Sequence, residues 1–475
     1  MIILVSLVFV VVQAALALSP PVNLEFAFVG AAEYFGRPNE LLIDQYFSYQ
    51  ANTLGMSYLA HCVSILLPSV DMLFLMRMIS VLGIPLLLVG VYRVNRYIGI
   101  HSFLAIVALI VLNPLVWAFS GRATADFMPA ALGFFAISMA LGKERVISRS
   151  LLAGAFLGLA AVLKYHVLCL LPLLAGLLVY KESFSLAFKK LLIATLVSLL
   201  ILSFYLFKVH EVFGFWLAPE KYKAVHNIKL SNVLNNFVLY FGFLVMLAAP
   251  ALLLSRALWR EMMGQWKLLV VLLSGMAVLG WLFFHETGEL NLGPLDTYVS
   301  EKFRVVGFSL LFVLGWVLVF FKGRESERVA RVRVIVGLSM LFVILALSIS
   351  RPAQRYLLFV LPFFVMILPR DILKERWVLS STLILFVLAN AFIEINKWSA
   401  GTASVEMLEV IEAKGLVQET NPGAIGPSVG NAFFEYSSHD KSYLVVPGAA
   451  VNAIAVTHAG PRFLGRTFSL IKIKN

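Results

Sequence analysis

Glu25 stands in Asn23-Leu24-Glu25-Phe26, directly behind an apolar run, and Asp126 closes Phe119-Ser120-Gly121-Arg122-Ala123-Thr124-Ala125-Asp126 between two more. An ordinary side-chain carboxyl ionises near pH ~4, so either acid could accept a proton at neutral pH. Each also suits plain helix-start chemistry, Glu25 through the helix dipole and Asp126, with Pro129 close behind it, through capping. Asp44, in Leu42-Ile43-Asp44-Gln45-Tyr46, is a rival acid, while Glu33 reads as a solvated face residue. In Arg351-Pro352-Ala353-Gln354-Arg355-Tyr356 two guanidiniums and a phenol open an apolar run. That set suits an anionic phosphate, or else interfacial anchoring. Lys164 interrupts an otherwise apolar stretch before Tyr165 and His166 and needs an anionic partner there. Arg77 and Arg122 are further cations at the same kind of position, and Arg122 joins the candidate substrate contacts.

Weaker signals fall away on chemistry. His285-Glu286 with Glu289 offers one histidine and two carboxylates, thin for a metal, although a divalent cation at Asp126 stays open. The glycines of 423–430 have the spacing of neither phosphate-binding loop and read as turns. Cys62 and Cys169 are far apart and make no disulfide framework.

The elements that must position these residues are membrane helices. Of the 475 residues 61% are hydrophobic and 13% charged, and the mean hydropathy is +0.91. A soluble chain is about half apolar and a quarter charged. Strands of a membrane barrel would alternate apolar and polar residues, whereas the apolar runs here are unbroken. The expected fold class is an all-α polytopic membrane protein of about thirteen transmembrane helices, with a small extracytoplasmic α+β C-terminal region. The expected spans are 2–19, 72–92, 102–118, 125–141, 151–164, 167–180, 190–207, 235–254, 268–284, 305–321, 333–349, 355–369 and 377–394. Residues 1–394 then form the membrane domain, with a first external loop at 20–71, and 395–475 a separate external domain.

Charge supplies the orientation. The net charge of +12 could point to nucleic acid, but half of the 38 Lys and Arg fall in the six short loops that this span order puts on one side. Lys/Arg enrichment marks the cytoplasmic side, so the N-terminus is expected inside and the C-terminus outside. The basic balance is thus a topology signal, and no nucleic-acid partner is expected. The first segment lacks the basic residues of a cleaved signal and is read as an uncleaved helix. Glu25, Asp126, Lys164, Arg351 and Arg355 then all fall at outward helix mouths.

Four places in this order resemble a known family: Glu25 with Tyr34-Phe35 following; Leu75-Met76-Arg77-Met78-Ile79-Ser80; Asp126 in the second external loop; and Gln354-Arg355-Tyr356-Leu357 ahead of Leu361-Pro362. Lys164 before Leu171-Pro172 also fits. The pattern resembles the GT-C superfamily of integral-membrane glycosyltransferases, in the bacterial branch of protein O-mannosyltransferases and lipid A aminoarabinose transferases. It departs in carrying Glu25 where an Asp is usual, and Asn52-Thr53-Leu54-Gly55 where a Lys-Pro-Pro-like element often follows.

The resemblance implies transfer of a sugar from a polyprenyl-phosphate donor to an acceptor hydroxyl on a glycan, lipid or protein. The reaction would invert the anomeric centre at the outer face of a bacterial inner membrane. Glu25 is the expected base, Arg355 with Lys164 or Arg351 the phosphate contacts, and Asp126 would orient the acceptor, position a basic residue or bind a divalent cation. Two other classes stay open: a lipid-linked glycan polymerase or ligase, and a transporter or flippase. The second is disfavoured because the charges lie at helix mouths rather than at mid-depth.

Overall fold

The computed structural model describes residues 2–20, 25–49, 53–99, 102–142, 145–220, 230–264, several between 266 and 278, 301–320, 327–349, 353–369, 374–418, 434–438, 441–447, 449–460 and 466–472. Helix α1 (Ile2–Leu16) is followed by three short helices, α2 (Glu25–Gly36), α3 (Glu40–Tyr49) and α4 (Gly55–Leu66). These make up the expected first external loop, with α2 packed on both α3 and α4. Helix α4 starts against the end of α10 (Val146–Leu163). A Cβ on Gly55 would lie 2.2 Å from the Val162 carbonyl oxygen, so the contact needs glycine.

Asp71 caps α5 (Met72–Val81) by accepting from the Phe74 amide at 2.9 Å. The chain runs on through α6 (Gly83–Ile98) to Gly99, whose φ of +74° ends the helix. Helices α7 (Phe103–Val111) and α8 (Pro114–Ser120) form one apolar path bent by 61°. Pro114 cannot continue the ladder of α7, and Asn113 caps the new start by accepting from the Leu115 amide at 3.1 Å. The loose carbonyl of Leu112 takes a bond from Asn390 Nδ2 at 2.9 Å, and Asn113 Nδ2 donates to Leu247 O at 3.2 Å. A break at membrane depth is tolerated when its polar groups are satisfied in this way.

Helix α9 (Phe127–Ala140) is buried along most of its length between α6 and α10. After α10 come a 3-10 turn (Tyr165–Leu170), α11 (Leu171–Lys181) and the long α12 (Phe184–Phe213). The second half contains helices Leu230–Met246, Ala249–Leu254, Arg256–Gly264, Glu301–Phe320 and Glu327–Ser348, a 3-10 turn Gln354–Phe359, and helices Leu361–Ile367 and Arg376–Ala413.

Among the described residues five helices are long and apolar enough to cross a membrane, or six if the bent pair is one span. That is fewer than the expected thirteen, for an identifiable reason. Several expected spans are short or broken helices: 102–118 is the bent pair, 167–180 begins as a 3-10 turn, 235–254 breaks before Pro250, and 355–369 is a 3-10 turn followed by seven helical residues. Hydropathy registers apolar composition, whereas Pro114, Pro172, Pro250 and Pro362 decide where a helix restarts. Most of the expected 268–284 span lies outside the described residues.

The helix Arg376–Ala413 has 38 residues, about 57 Å at 1.5 Å per residue. It exceeds a ~30 Å hydrocarbon core, so its far half carries the C-terminal unit, and it runs unbroken through residues 394 and 395. Strands β1 (Val417–Gln418), β2 (Phe434–Ser438), β3 (Lys441–Pro447), β4 (Ala453–Ala459) and β5 (Arg466–Lys472) pair antiparallel in the order β1-β2-β3-β5-β4. Phe468 and Leu470 of β5 close on Ala403, Met407 and Ile411 of the helix, and Thr457 Oγ1 donates to Ala403 O at 3.0 Å. This is the small α+β region the composition shift anticipates.

Candidate functional site

Two buried charge clusters lie on either side of the loop 121–126. The first is a clamp. Arg77 on α5 donates from Nε to Glu25 Oε1 at 2.9 Å and from Nη2 to Oε2 at 2.6 Å, the two-pronged geometry of a guanidinium on a carboxylate. Its remaining hydrogens reach the carbonyls beyond the end of α1: Nη1 to Ala17 O at 2.8 Å and Ser19 O at 2.5 Å, Nη2 to Pro20 O at 3.1 Å. Glu25 Oε1 also accepts from the Ala123 amide at 2.8 Å. Burial would raise the Glu25 pKa. The hydrogen bond and charge of Arg77, the charge of Arg122 and the Ala123 amide outweigh it and hold the carboxyl below the usual glutamate value. Glu25 and Arg77 are 1% and 2% exposed, so the pair is sealed from water.

The second cluster gathers residues from three separated segments. Lys164 has an extended backbone between α10 and the 3-10 turn, and its Nζ donates to Asp126 Oδ1. Arg355, in the Gln354–Phe359 turn, brings Nε to 3.5 Å from the same oxygen. The ring of Tyr356 lies under both cations, 4.5 Å from Lys164 Nζ and 5.7 Å from Arg355 Cζ. His166 stacks on Tyr356, with ring centroids 4.3 Å apart. Burial pushes the Asp126 carboxyl up, but the charges of Lys164 and Arg355 prevail and hold it below the usual aspartate value.

The loop itself joins the clusters. Ala123 is bound to Glu25, and Ser80 Oγ donates to Arg122 O at 2.6 Å, so Asp126 is presented by a segment held at both of these points. Arg122 lies against Phe119, Cζ to ring centroid 5.1 Å. Its buried Nε makes no hydrogen bond among the described residues. Burial draws the Arg122 pKa down despite the carboxylates of Glu25, Glu394 and Asp126 nearby. Glu394 arrives from the long C-terminal helix, accepting from Trp117 Nε1 at 3.0 Å and pairing with Lys397 at 2.7 Å. A phenol layer borders the second cluster. Tyr46 is buried and donates to Thr53 O, the Leu54 amide donates to Tyr205 OH at 2.8 Å, and the Ala353 amide to Tyr240 OH at 2.8 Å. Burial holds the Tyr46 phenol well above its ordinary value, with Tyr205, Tyr165, Asp126 and Tyr356 adding to it.

Of the residues picked from sequence, Asp126, Lys164, Arg355 and Tyr356 meet, and Glu25 and Arg122 lie next to them across the loop. Lys164 has the anionic partner its position demanded. Asp44 is half-buried on α3. Two residues are about 200° apart on a helix, so Asp44 and the site-facing Tyr46 point to different sides. Arg351, His285, Glu286, Glu289 and the glycines of 423–430 lie outside the described residues. Among the described residues no three His, Cys, Asp or Glu gather as a metal set. At Asp126 two cations converge instead, a field that opposes a divalent ion. Glu394, Lys397, Tyr46, Tyr205 and Tyr240 were not singled out from sequence. Only the carboxylate and ammonium on an apolar helix signalled two of them.

No family model and no curated protein matches the sequence. Among solved structures the chain is similar to ArnT from Cupriavidus metallidurans bound to undecaprenyl phosphate, with 13% sequence identity over 87% of this chain and 71% of that one, at a TM-score of 0.46.

Proposed function

We propose that this chain transfers a sugar from a polyprenyl-phosphate donor to an acceptor hydroxyl at the outer membrane face. The observation that carries the reading is the convergence of Asp126, Lys164, Arg355 and Tyr356 from three segments at one buried point. One carboxylate between two cations has a net positive charge, which suits the phosphate of a lipid-linked sugar, and the order of motifs along the chain supports the same donor class. The acceptor is a glycan, lipid or protein hydroxyl, and the membrane supplies the donor's hydrophobic tail with its solvent.

Lys164 and Arg355 hold the donor phosphate and, as the bond from phosphate oxygen to the anomeric carbon breaks, stabilise the charge it gains. The acceptor oxygen forms its new bond from the opposite face, inverting the centre, and its proton passes to a carboxylate. We assign that carboxylate to Asp126. Glu25 was the expected base, but three donors already occupy it and Arg77 ties it to α1. Its role is to hold the loop that presents Asp126. Phosphate arriving on Lys164 and Arg355 competes with Asp126 for them, so donor binding loosens the carboxylate for proton transfer. Arg122, with a hydrogen to spare, contacts the acceptor or the sugar.

The test is incubation of the purified protein with polyprenyl-monophosphate and polyprenyl-diphosphate sugars, following released lipid phosphate. Monophosphate donors should be consumed, with release slowed at saturating donor by Asp126→Asn and needing more donor in Arg355→Gln. Consumption of diphosphate donors alone would instead indicate a polymerase or ligase. No consumption, with substrate crossing proteoliposomes, would indicate a transporter.

A further inference from the structure

The helix Arg256–Gly264 follows Ala249–Leu254. Its sidedness follows from one contact: Arg256 Cζ lies 5.4 Å from the ring of Trp377. Trp377 precedes Glu394 by 17 residues on a single unbroken helix, roughly 25 Å along the axis at 1.5 Å per residue. Glu394 belongs beside Arg122, so Arg256 is on the opposite membrane face.

Viewed down the axis at about 100° per residue, Trp259 and Met263 form one stripe within about 40°. Trp266 follows just beyond the end of this helix. Arg256 and Arg260 form a second stripe immediately beside it, and Lys267 follows Trp266 beyond the helix end. Leu258 lies away from both stripes and is buried against the core. Trp259, Met263 and Trp266 are 44%, 62% and 51% exposed, and all three bases are exposed. The indole of Trp259 donates to Leu253 O at 2.8 Å, fixing one ring at the helix start, and Lys267 Nζ stands 5.9 Å from the Trp266 ring. Residues 256–267 carry three bases and one acid, Glu261.

Adjacent aromatic and basic stripes on a helix next to membrane segments fit a lipid surface. Indoles settle at the boundary of hydrocarbon and headgroup, and bases a few ångströms above them meet lipid phosphates. Three bases against one acid favour anionic over zwitterionic headgroups. We propose that the surface of residues 256–267 binds anionic phospholipid in the leaflet opposite the Asp126 cluster. This inference does not depend on the transferase reading.

The test uses the full chain in nanodiscs containing brominated phosphatidylglycerol or brominated phosphatidylcholine, with tryptophan fluorescence as readout. Subtracting the Trp259→Phe/Trp266→Phe signal isolates the two indoles. Brominated phosphatidylglycerol should quench them at least about twofold more than brominated phosphatidylcholine. That preference should vanish in Arg256→Gln/Arg260→Gln/Lys267→Gln, or shrink in Arg260→Gln alone should the triple variant fail to fold. Equal quenching by both lipids would overturn the proposal. So would quenching by neither, with disulfide-linked dimers forming through Met263→Cys, since a second copy would then occupy the surface.

Discussion

At Asp126 two cations share one carboxylate oxygen, and the consequences of removing each member differ. Asp126→Asn leaves Lys164 and Arg355 without their internal counter-charge, so donor phosphate should bind as well as before or tighter. Turnover should fall by a factor of about 10²–10⁴, the usual weight of a general base. Arg355→Gln should act the other way round, weakening the donor by about 10–100-fold, the equivalent of one charged hydrogen bond. Binding of a fluorescent polyprenyl phosphate beside single-turnover rates separates the two. Glu25 is a matter of stability first. Glu25→Ala strands a buried guanidinium, and loss of one partner of such a pair costs about 3–5 kcal/mol, readable as a drop in melting temperature in detergent. Glu25→Gln should recover much of it, and its turnover should exceed that of Asp126→Asn. Turnover equally absent in a well-folded Glu25→Gln would return the base to Glu25. Because both carboxyls are held below their ordinary values, their stabilisation is complete above pH about 4–4.5 and is lost as the pH falls through the lowered values. The melting midpoint should therefore drop steeply only below about pH 4, less steeply in the double Gln/Asn variant. A single charged residue in an apolar run was legible without any structure, since burial demands a partner. The partner was not. Arg77 is 52 positions from Glu25, and nothing local in either segment encodes the pairing.

The same division holds among the elements. That the chain is built of apolar helices followed by a short α+β unit is written in composition. That an apolar run is two helices at 61° depends on Asn113-Pro114 and on where the freed backbone groups find donors. Asn390 sits at a depth where an amide is expensive unless bonded, and it supplies one such donor to Leu112 O. Asn390→Leu should lower stability by about 1–3 kcal/mol by leaving that carbonyl unpaired, readable as a drop in melting temperature in detergent. A melting temperature equal to the parent's would mean that the bend needs no such donor. Gly55 is the tighter joint: any side chain there would displace α4 from the Val162 carbonyl of α10. The sequence marked this glycine only as a departure from an expected motif, because its reason lies in an element more than a hundred residues away.

Over the whole molecule the charges sort into two layers, and the long C-terminal helix is a ruler between them. Trp377 and Arg256 mark one end, and Glu394, Lys397 and Arg122 stand roughly 25 Å further on. On the first side lie Arg93, Arg96, Arg145, Arg149 and Arg328. There a buried pair, Lys190 with Glu182 at 2.6 Å, also binds the carbonyl of Gly142 just past the end of α9. Lys/Arg bias fixes which side of a membrane a loop occupies. On that bias we propose that the site opens on the outer face, together with the β-sheet unit that the same helix carries. Single cysteines at Ser148, beside the basic loops, and at Asn452, in the turn before β4, test this in a Cys62→Ser/Cys169→Ser background. A membrane-impermeant maleimide applied to whole cells should label Asn452→Cys and spare Ser148→Cys until the membrane is opened. The reverse pattern would turn the Asp126 cluster inward, where a donor flipped to the outside could not reach it, and would overturn the transferase reading along with the orientation.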